Sequence, residues 1–279
     1  MTMPVLSFCN ELLADEGKDL NEQCRILAEI GYGGLEIAPG TLAKAPHLLS
    51  SAQAGEMREV CERHTLTITG LHWLLAPYPQ LSITDPSKRA EAGEVLRGLI
   101  ELCATLGGKV LVHGSPGQRA VPPGTDMAAL TQEVAEFFRP IADHAAKHCV
   151  TYCIECLSRN ETVFLNTLEE GADLVERVGS PAFRTMIDTS AAGLTEDTPV
   201  AELIRKWVPG GMIGHIQLND TNRGAPGTGD DPMNDIIAAL VDVGWQKPMA
   251  VEPFKTVVDA SVTAAIAHAT VKTLWEVSA

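Results

Sequence analysis

The sequence predicts an α/β protein that folds as a single (β/α)₈ TIM barrel over residues 1–279. Eight short apolar runs rich in β-branched residues alternate with eight longer helical patterns at a regular pitch. The length suits one such barrel, which typically takes about 250 residues. No Ser-rich linker, charge run or shift in composition divides the sequence, so we expect one domain.

The predicted strands are short and mostly apolar, as expected when both faces of a parallel sheet are buried. They are Pro4–Phe8, Gly34–Ile37, Thr67–His72, Val110–His113, Thr151–Glu155, Arg184–Asp188, Ile213–Leu218 and Met249–Glu252. An open doubly wound sheet is the alternative arrangement. It more often has about five or six strands, and no G-x-G-x-x-G follows the first predicted strand.

The predicted helices carry apolar residues three and four positions apart, with charged residues between them. They lie near Asn21–Ile30, Ala52–His64, Ser87–Leu106, Met127–His148, Leu168–Val178, Val200–Lys206, Pro232–Val243 and Ala260–Val277. Two connecting segments, Gly114–Thr125 and Asn219–Asp231, are longer than plain connectors need to be. We therefore expect these two loops to cover the functional site.

The charge and the hydropathy pattern exclude several classes of partner. The formal net charge is −15, and an acidic field of this size repels a phosphate backbone. We find no basic patch, so nucleic acid is not expected as a partner. No window approaches about 18 consecutive apolar residues, so no membrane span is expected. The first thirteen residues lack the basic start and apolar stretch of a signal peptide.

The seven cysteines are odd in number and scattered over predicted strands and helices. This pattern is typical of reduced thiols, so we predict a cytoplasmic protein rather than a disulfide framework. Cys153 and Cys156 match a C-x-x-C motif, but residues three apart on a strand point to opposite faces. Two small buried thiols are therefore the better interpretation of that motif.

Four successive predicted strands reach a metal-ligand residue after an apolar triplet. These residues are Glu155, Asp188, His215 and Glu252, and neighbouring members are about one βα unit apart. The carboxyl ends of barrel strands meet at one rim, so the topology predicts that the four side chains converge there. Any one of them could be an ordinary strand-end polar residue, but three carboxylates without a cation would repel one another.

Three carboxylates and one imidazole form an oxygen-rich donor set. Such a set suits one divalent ion, which could be Mn²⁺, Mg²⁺ or Co²⁺, and would tolerate Zn²⁺. An ion of this kind assists removal of a proton from a carbon next to a carbonyl, and carboxyl groups can exchange the proton. The residues therefore predict a metal-dependent site for proton transfer, and the family resemblance described next implies that it isomerises or epimerises a small sugar.

Several motifs carry a resemblance to a known family. The chain resembles the xylose-isomerase-like barrel superfamily of sugar isomerases and epimerases, and within it most resembles the ketose 3-epimerase (D-tagatose 3-epimerase) branch. The similarity runs from Gly31 to Phe254. Its most specific segments are residues 154–162, 187–190, 215–220, 223–230 and 251–254.

The resemblance implies roles for particular residues. In such epimerases the matching Glu, Asp, His and Glu hold one divalent ion, usually manganese, and the two glutamates, here Glu155 and Glu252, form the acid–base pair. It also implies that Glu161 and Arg223 contact substrate hydroxyls or place Glu155, and that Phe254 packs against the sugar. One departure is clear: those epimerases usually carry a histidine where this chain has Ala191, which removes a hydrogen bond to substrate.

Three further polar residues close predicted strands and are candidates to line the pocket. Glu36 ends the second strand, His72 the third and His113 the fourth, although strand-end histidines often bond backbone carbonyls instead. The glycine-rich segment 224–229 beside Arg223 could hold a sugar phosphate, but a turn-rich lid is the better interpretation.

The alternatives share the barrel but differ in chemistry. An aldose–ketose isomerase, a hydroxypyruvate-type isomerase or a cyclitol dehydratase would use the same carbanion chemistry. An endonuclease-IV-like enzyme needs more histidine ligands and a basic face. A sugar-binding protein without activity has no need of Glu155 and Glu252 as opposed acid–base groups. The sequence is also compatible with a homo-oligomer.

Overall fold

The computed structural model describes residues 2–279 and contains a closed barrel of eight parallel strands. Each strand pairs with the next in sequence, and the first pairs with the eighth. The strands are β1 (Leu6–Cys9), β2 (Gly34–Ile37), β3 (Thr67–Leu71), β4 (Val110–His113), β5 (Thr151–Glu155), β6 (Phe183–Asp188), β7 (Ile213–Leu218) and β8 (Met249–Val251). The predicted TIM barrel is confirmed.

Helices surround the barrel and follow its strands. They are α1 (Glu11–Asp15), α2 (Leu20–Ile30), α3 (Ser51–Arg63), α4 (Arg89–Leu106), α5 (Met127–Lys147), α6 (Leu168–Val178), α7 (Thr189–Thr195), α8 (Val200–Trp207), α9 (Met233–Asp242) and α10 (Ala260–Ser278). The predicted helices are present with shifts of one or two residues at most ends. Two short helices, α1 and α7, were not predicted. None of the described helices is both long and apolar enough to cross a bilayer.

Local signals in the sequence set the ends of several helices. Asp19 and Glu22 form a capping box at the start of α2, which ends at Gly31 in a left-handed conformation with φ 111°. The α6 helix uses the same devices, with Thr167 at its start and Gly179 at its end. Helix α7 begins directly after β6, because the Asp188 side chain accepts a hydrogen bond from the Ala191 amide.

Apolar residues of the strands and helices form one continuous core between the barrel and its helical layer. An aromatic group of Phe138, Tyr152 and Phe183 joins α5 to β5 and β6, with ring centroids 5.1–5.6 Å apart. All seven cysteines are free thiols, and only Cys149 is exposed. The polar residues of the barrel interior gather instead towards the carboxyl ends of the strands, which positions the candidate site there.

Candidate metal and substrate site

Three carboxylates from three strands meet at the carboxyl end of the barrel. Glu155 ends β5, Asp188 ends β6, and Glu252 directly follows β8. One oxygen of each lies within 4.8 Å of an oxygen of the other two, and all three side chains are buried. The structure therefore brings together three of the four metal ligands that the sequence predicts.

Burial disfavours the ionised form of these three carboxyl groups when no cation is present. Burial, and then repulsion by Asp188, raises the pKa of Glu155 well above its usual range. Burial and repulsion by Glu155 do the same to the pKa of Glu252. Burial raises the pKa of Asp188 to about 6, although hydrogen bonds from the Ala191 amide and Asn219 oppose the shift. A divalent cation would neutralise this cluster, so the donor set fits a metal ion.

The raised pKa values predict how metal and pH act on stability. The folded protein without metal holds protons on these groups that the unfolded chain releases at lower pH. Its stability therefore falls as pH rises from the usual carboxyl range through about 6 and above. We expect one Mn²⁺ concentration, set at about 100 times the Kd measured at about pH 8, to raise Tm by about 5 °C at that pH and by less at about pH 5. Thermal unfolding with and without Mn²⁺ checks this, and an equal shift at both pH values would contradict it.

His215 is not grouped with the three carboxylates, although the sequence analysis places it beside them as the fourth ligand. Its Nε2 atom is 2.8 Å from Oε2 of Glu36, a fully buried residue of β2. The reason is strand register: on β7 the residue that pairs with Asp188 is Gln217, two positions beyond His215. The residue of β7 at the level of Asp188 lies one position before the strand's last residue, so choosing the polar residue nearest the end of β7 would have identified Gln217.

Two amide side chains that the sequence analysis missed lie beside the cluster. Asn219 donates from Nδ2 to Oδ2 of Asp188 at 2.9 Å and to the backbone oxygen of Glu252 at 3.0 Å. Gln217 donates from Nε2 to Oε1 of Glu36 at 2.8 Å. Its Oε1 atom is buried and has no hydrogen-bond partner within residues 2–279.

The cleft above the carboxylates contains the predicted substrate residues Glu161, Arg223 and Phe254. Arg223 Nη1 is 2.9 Å from Oε1 of Glu161, and its guanidinium lies 4.1 Å from the centre of the Phe254 ring. Ser158 also donates to Glu161, at 2.7 Å. This arrangement holds a cation, an anion and an aromatic face at the mouth of the cleft, which suits a ligand with several hydroxyl groups.

Trp73 forms another wall of the cleft and contacts an acid–base candidate directly. Its Nε1 atom donates to Oε1 of Glu252 at 3.2 Å, and its ring lies 6.0 Å from that of Phe254. Trp73 and Arg223 have positive φ angles of 53° and 65°, which are uncommon for residues with a side chain. Such strained backbones occur often where a site requires one side-chain direction.

Three predicted pocket residues lie below the cleft rather than in it. Glu36, His72 and His113 are all fully buried and are not among the residues that line the cleft. His72 Nε2 is 2.6 Å from Oε1 of Glu11 and 4.0 Å from Oε1 of Glu252. The ring of His113 bonds the Tyr152 hydroxyl, and burial lowers the pKa of His113. The structure places these three residues behind the lining of the cleft, and their contact with substrate stays a prediction.

The glycine-rich loop after β7 is closed on itself. Oδ2 of Asp220 accepts hydrogen bonds from the amides of Thr228 and Gly229, at 2.9 and 2.6 Å. Asp231 likewise accepts from the amide of Thr221 at 2.6 Å. These amides are therefore not free to bind a phosphate group, and the predicted role of the segment as a lid stays a prediction.

Comparison with known proteins decides the family. The model of the xylose isomerase-like TIM barrel family matches residues 24–271. The chain belongs to this family. The predicted resemblance is confirmed, and most of the barrel lies within the match.

Named relatives within the xylose isomerase-like family are carbohydrate epimerases. The chain is 30% identical over 232 residues to a D-psicose 3-epimerase of Ruminiclostridium cellulolyticum, covering 82% of this chain and 76% of the relative. It is 26% identical over 185 residues to an L-ribulose 3-epimerase of a Methylomonas species, covering 65% and 63%. These relatives confirm the predicted enzyme class, an isomerase or epimerase of carbohydrates.

Solved structures of the xylose isomerase-like family confirm the fold. The crystal structure of a D-psicose 3-epimerase with D-tagatose, from Clostridium cellulolyticum, superposes with a TM-score of 0.79. The superposition covers 98% of this chain and 97% of that one at 22% identity. The barrel and its helices are therefore shared over nearly their whole length.

Proposed function

We propose that this protein is a divalent-metal-dependent epimerase of a small ketose and that Glu155 and Glu252 are its acid–base pair. The observation that carries the proposal is the meeting of three buried carboxylates from β5, β6 and the end of β8 in one cleft. The ketose epimerases among its relatives support the substrate class. An aldose–ketose isomerase on the same residues is the alternative.

Glu155, Asp188 and Glu252 would hold the ion, for which Mn²⁺ remains our favoured identity. When bound, a divalent ion polarises the carbonyl and adjacent hydroxyl of a ketose and so stabilises the enediolate left by proton removal. Asp188 is oriented for ion binding by Asn219 and by the Ala191 amide. The cytoplasmic location and the homo-oligomer stay predictions.

The two glutamates are suited to moving a proton at the carbon next to the carbonyl. Because burial raises the pKa of each glutamate above its usual range, each holds a proton more readily than an exposed carboxylate does. One takes the proton from one face of the sugar and the other returns a proton to the opposite face, which inverts the carbon. Trp73 fixes the carboxyl group of Glu252 through its Nε1 hydrogen bond.

Substrate binding would fall to the mouth of the cleft. Glu161 and Arg223 offer an acceptor and several donors for hydroxyl groups, and Phe254 offers an apolar face. Ala191 also lines the cleft and cannot hydrogen-bond through its side chain. We therefore expect a substrate preference that differs from that of epimerases with histidine at this position.

The proposed function is tested by turnover in deuterium oxide. We expect the Mn²⁺-loaded protein to convert at least one of D-psicose, D-tagatose, D-fructose and L-ribulose, with deuterium entering the product at the inverted carbon. NMR of the recovered sugars measures both events. Protein treated with a chelator is the control and should show neither. If no sugar gains deuterium while Mn²⁺ is bound, the proposal fails.

A further inference from the structure

We infer that Gln217, and not His215, supplies the fourth protein ligand of the divalent ion, so that the donor set consists entirely of oxygen. The inference rests on the proposed function and deepens it, because the ligand set decides which ions the site prefers. Three independent features of β7 carry it: its register, the anchoring of the Gln217 amide, and the place of His215.

The register puts Gln217 on the same side and at the same level as the carboxylates. Gln217 pairs with Asp188 on β6, and directly paired residues of neighbouring strands project to the same face of the sheet. On its other side Gln217 pairs with Ala250, which shares a face with Glu252 two residues later. Gln217 thus lies between the strands that supply two of the three carboxylates.

The anchoring of the amide group determines which of its atoms is free. A carboxylate accepts hydrogen bonds, so the Nε2 group of Gln217 must face Glu36, to which it donates at 2.8 Å. Nε2 also lies 3.8 Å from the Cys9 sulfur. The oxygen at the opposite end is buried and has no hydrogen-bond partner among the described residues. A buried acceptor without a hydrogen-bond partner is uncommon in a folded protein and is usually explained by a water or an ion, and a cation among the carboxylates would supply that partner here.

The position of His215 argues against it as the ligand. Its Nε2 atom lies 2.8 Å from Oε2 of Glu36, so Glu36 contacts both His215 and Gln217 through its two oxygens. Glu36 is fully buried on β2. His215 therefore supports the residue that orients Gln217.

The chemical consequence is a change in metal preference. Three carboxylates and an amide oxygen favour hard ions such as Mn²⁺ and Mg²⁺, whereas an imidazole ligand increases the affinity for Zn²⁺ and Co²⁺. Replacing Gln217 by His should therefore raise affinity for Zn²⁺ relative to Mn²⁺, by about tenfold.

The decisive experiment reads the nitrogen ligands of bound Mn²⁺. We expect electron spin echo spectra of the Mn²⁺-loaded wild-type protein to lack imidazole nitrogen coupling and those of Gln217→His to show it. His215→Gln is the matched control and should leave the spectrum unchanged. Gln217→Leu, with folding checked by circular dichroism, should raise the Kd for Mn²⁺ at least about tenfold.

Two results would overturn the inference in distinguishable ways. Imidazole coupling in the wild-type spectrum that disappears in His215→Gln would assign the ligand to His215 and leave the proposed function intact. If the Gln217→Leu protein binds Mn²⁺ as tightly as the wild type, Gln217 is not a ligand, and the proposed function is unaffected. A wild-type protein that binds no Mn²⁺, Mg²⁺ or Co²⁺ would overturn both the ligand assignment and the metal-dependent function.

Discussion

Replacement of Glu252 by Gln is expected to lower kcat for ketose epimerisation by about 10²- to 10⁴-fold, the usual contribution of a positioned general acid or base. The amide has nearly the same shape, and its oxygen can still accept the hydrogen bond from Trp73 Nε1. It cannot accept a proton from carbon, however. Steady-state kinetics on the best ketose, with bound metal quantified, measures the effect.

Glu155→Gln should cause a loss of similar size, but the two variants should differ in isotope exchange. If the two glutamates act on opposite faces of the sugar, each variant should exchange the substrate hydrogen more slowly in one epimer than in the other, and the affected epimer should differ between the two variants. Glu59→Gln, on the exposed side of α3, is the control and should retain full activity. Retention of kcat within about tenfold in either active-site variant would contradict the assigned roles.

Gly114→Ala is expected to lower kcat by about 10²-fold, because it displaces a catalytic carboxylate without removing it. A Cβ atom at Gly114 would collide with Oε2 of Glu155 and lie 3.3 Å from its Cδ. Gly114 lines the cleft just after β4, so the Glu155 carboxyl group must move into the space that ion and substrate use. Affinity for Mn²⁺ should fall together with kcat.

Gly117 in the same loop provides a matched control for this prediction. A Cβ atom there would meet no heavy atom within 4 Å, so Gly117→Ala should leave kcat and metal affinity unchanged. Thermal unfolding of both variants separates a local displacement from loss of the fold. Equal activities of the Gly114→Ala and Gly117→Ala proteins would show that Glu155 has room to move without cost to catalysis.

The fold was accessible from the sequence because its signals are local. Apolar triplets, helical periodicity and capping residues such as Asp19 and Thr167 specify each element from its own neighbourhood. Eight βα units then leave few arrangements other than a closed barrel. The sequence does not predict the short helix α7, because its N-cap is Asp188, a strand-end carboxylate that the sequence predicts to be a metal ligand.

The sequence predicts the position of a site residue correctly only where the residues of a single strand are enough to place it. Glu155, Asp188 and Glu252 each follow an apolar run and lie where the sequence predicts them. His215 lies apart from the other three because the level of a residue in a barrel depends on pairing with the neighbouring strand, which the apolar residues before it do not encode.

Buried supporting groups are the other class that the sequence does not reveal. Arg119 gives no motif, yet its guanidinium is fully buried and donates to the backbone oxygens of His113 and Glu155. His113 shows the converse, since a strand-end histidine that resembles a pocket residue is occupied by a tyrosine hydroxyl. In both cases the position of the side chain depends on hydrogen bonds to residues distant in the sequence, which sequence patterns do not reveal.

The carboxylates of Asp220 and Asp231 hold in place the loop that carries Arg223, a residue that lines the cleft. A small uncharged ligand offers few contacts, so an entropic penalty for ordering a mobile loop would consume much of its binding free energy. These aspartates already restrain the backbone of the loop. The entropic cost of ordering the loop therefore lowers the free energy of unfolding rather than the affinity for substrate. Preorganisation of this kind preserves more of the binding free energy of a ligand that makes few contacts.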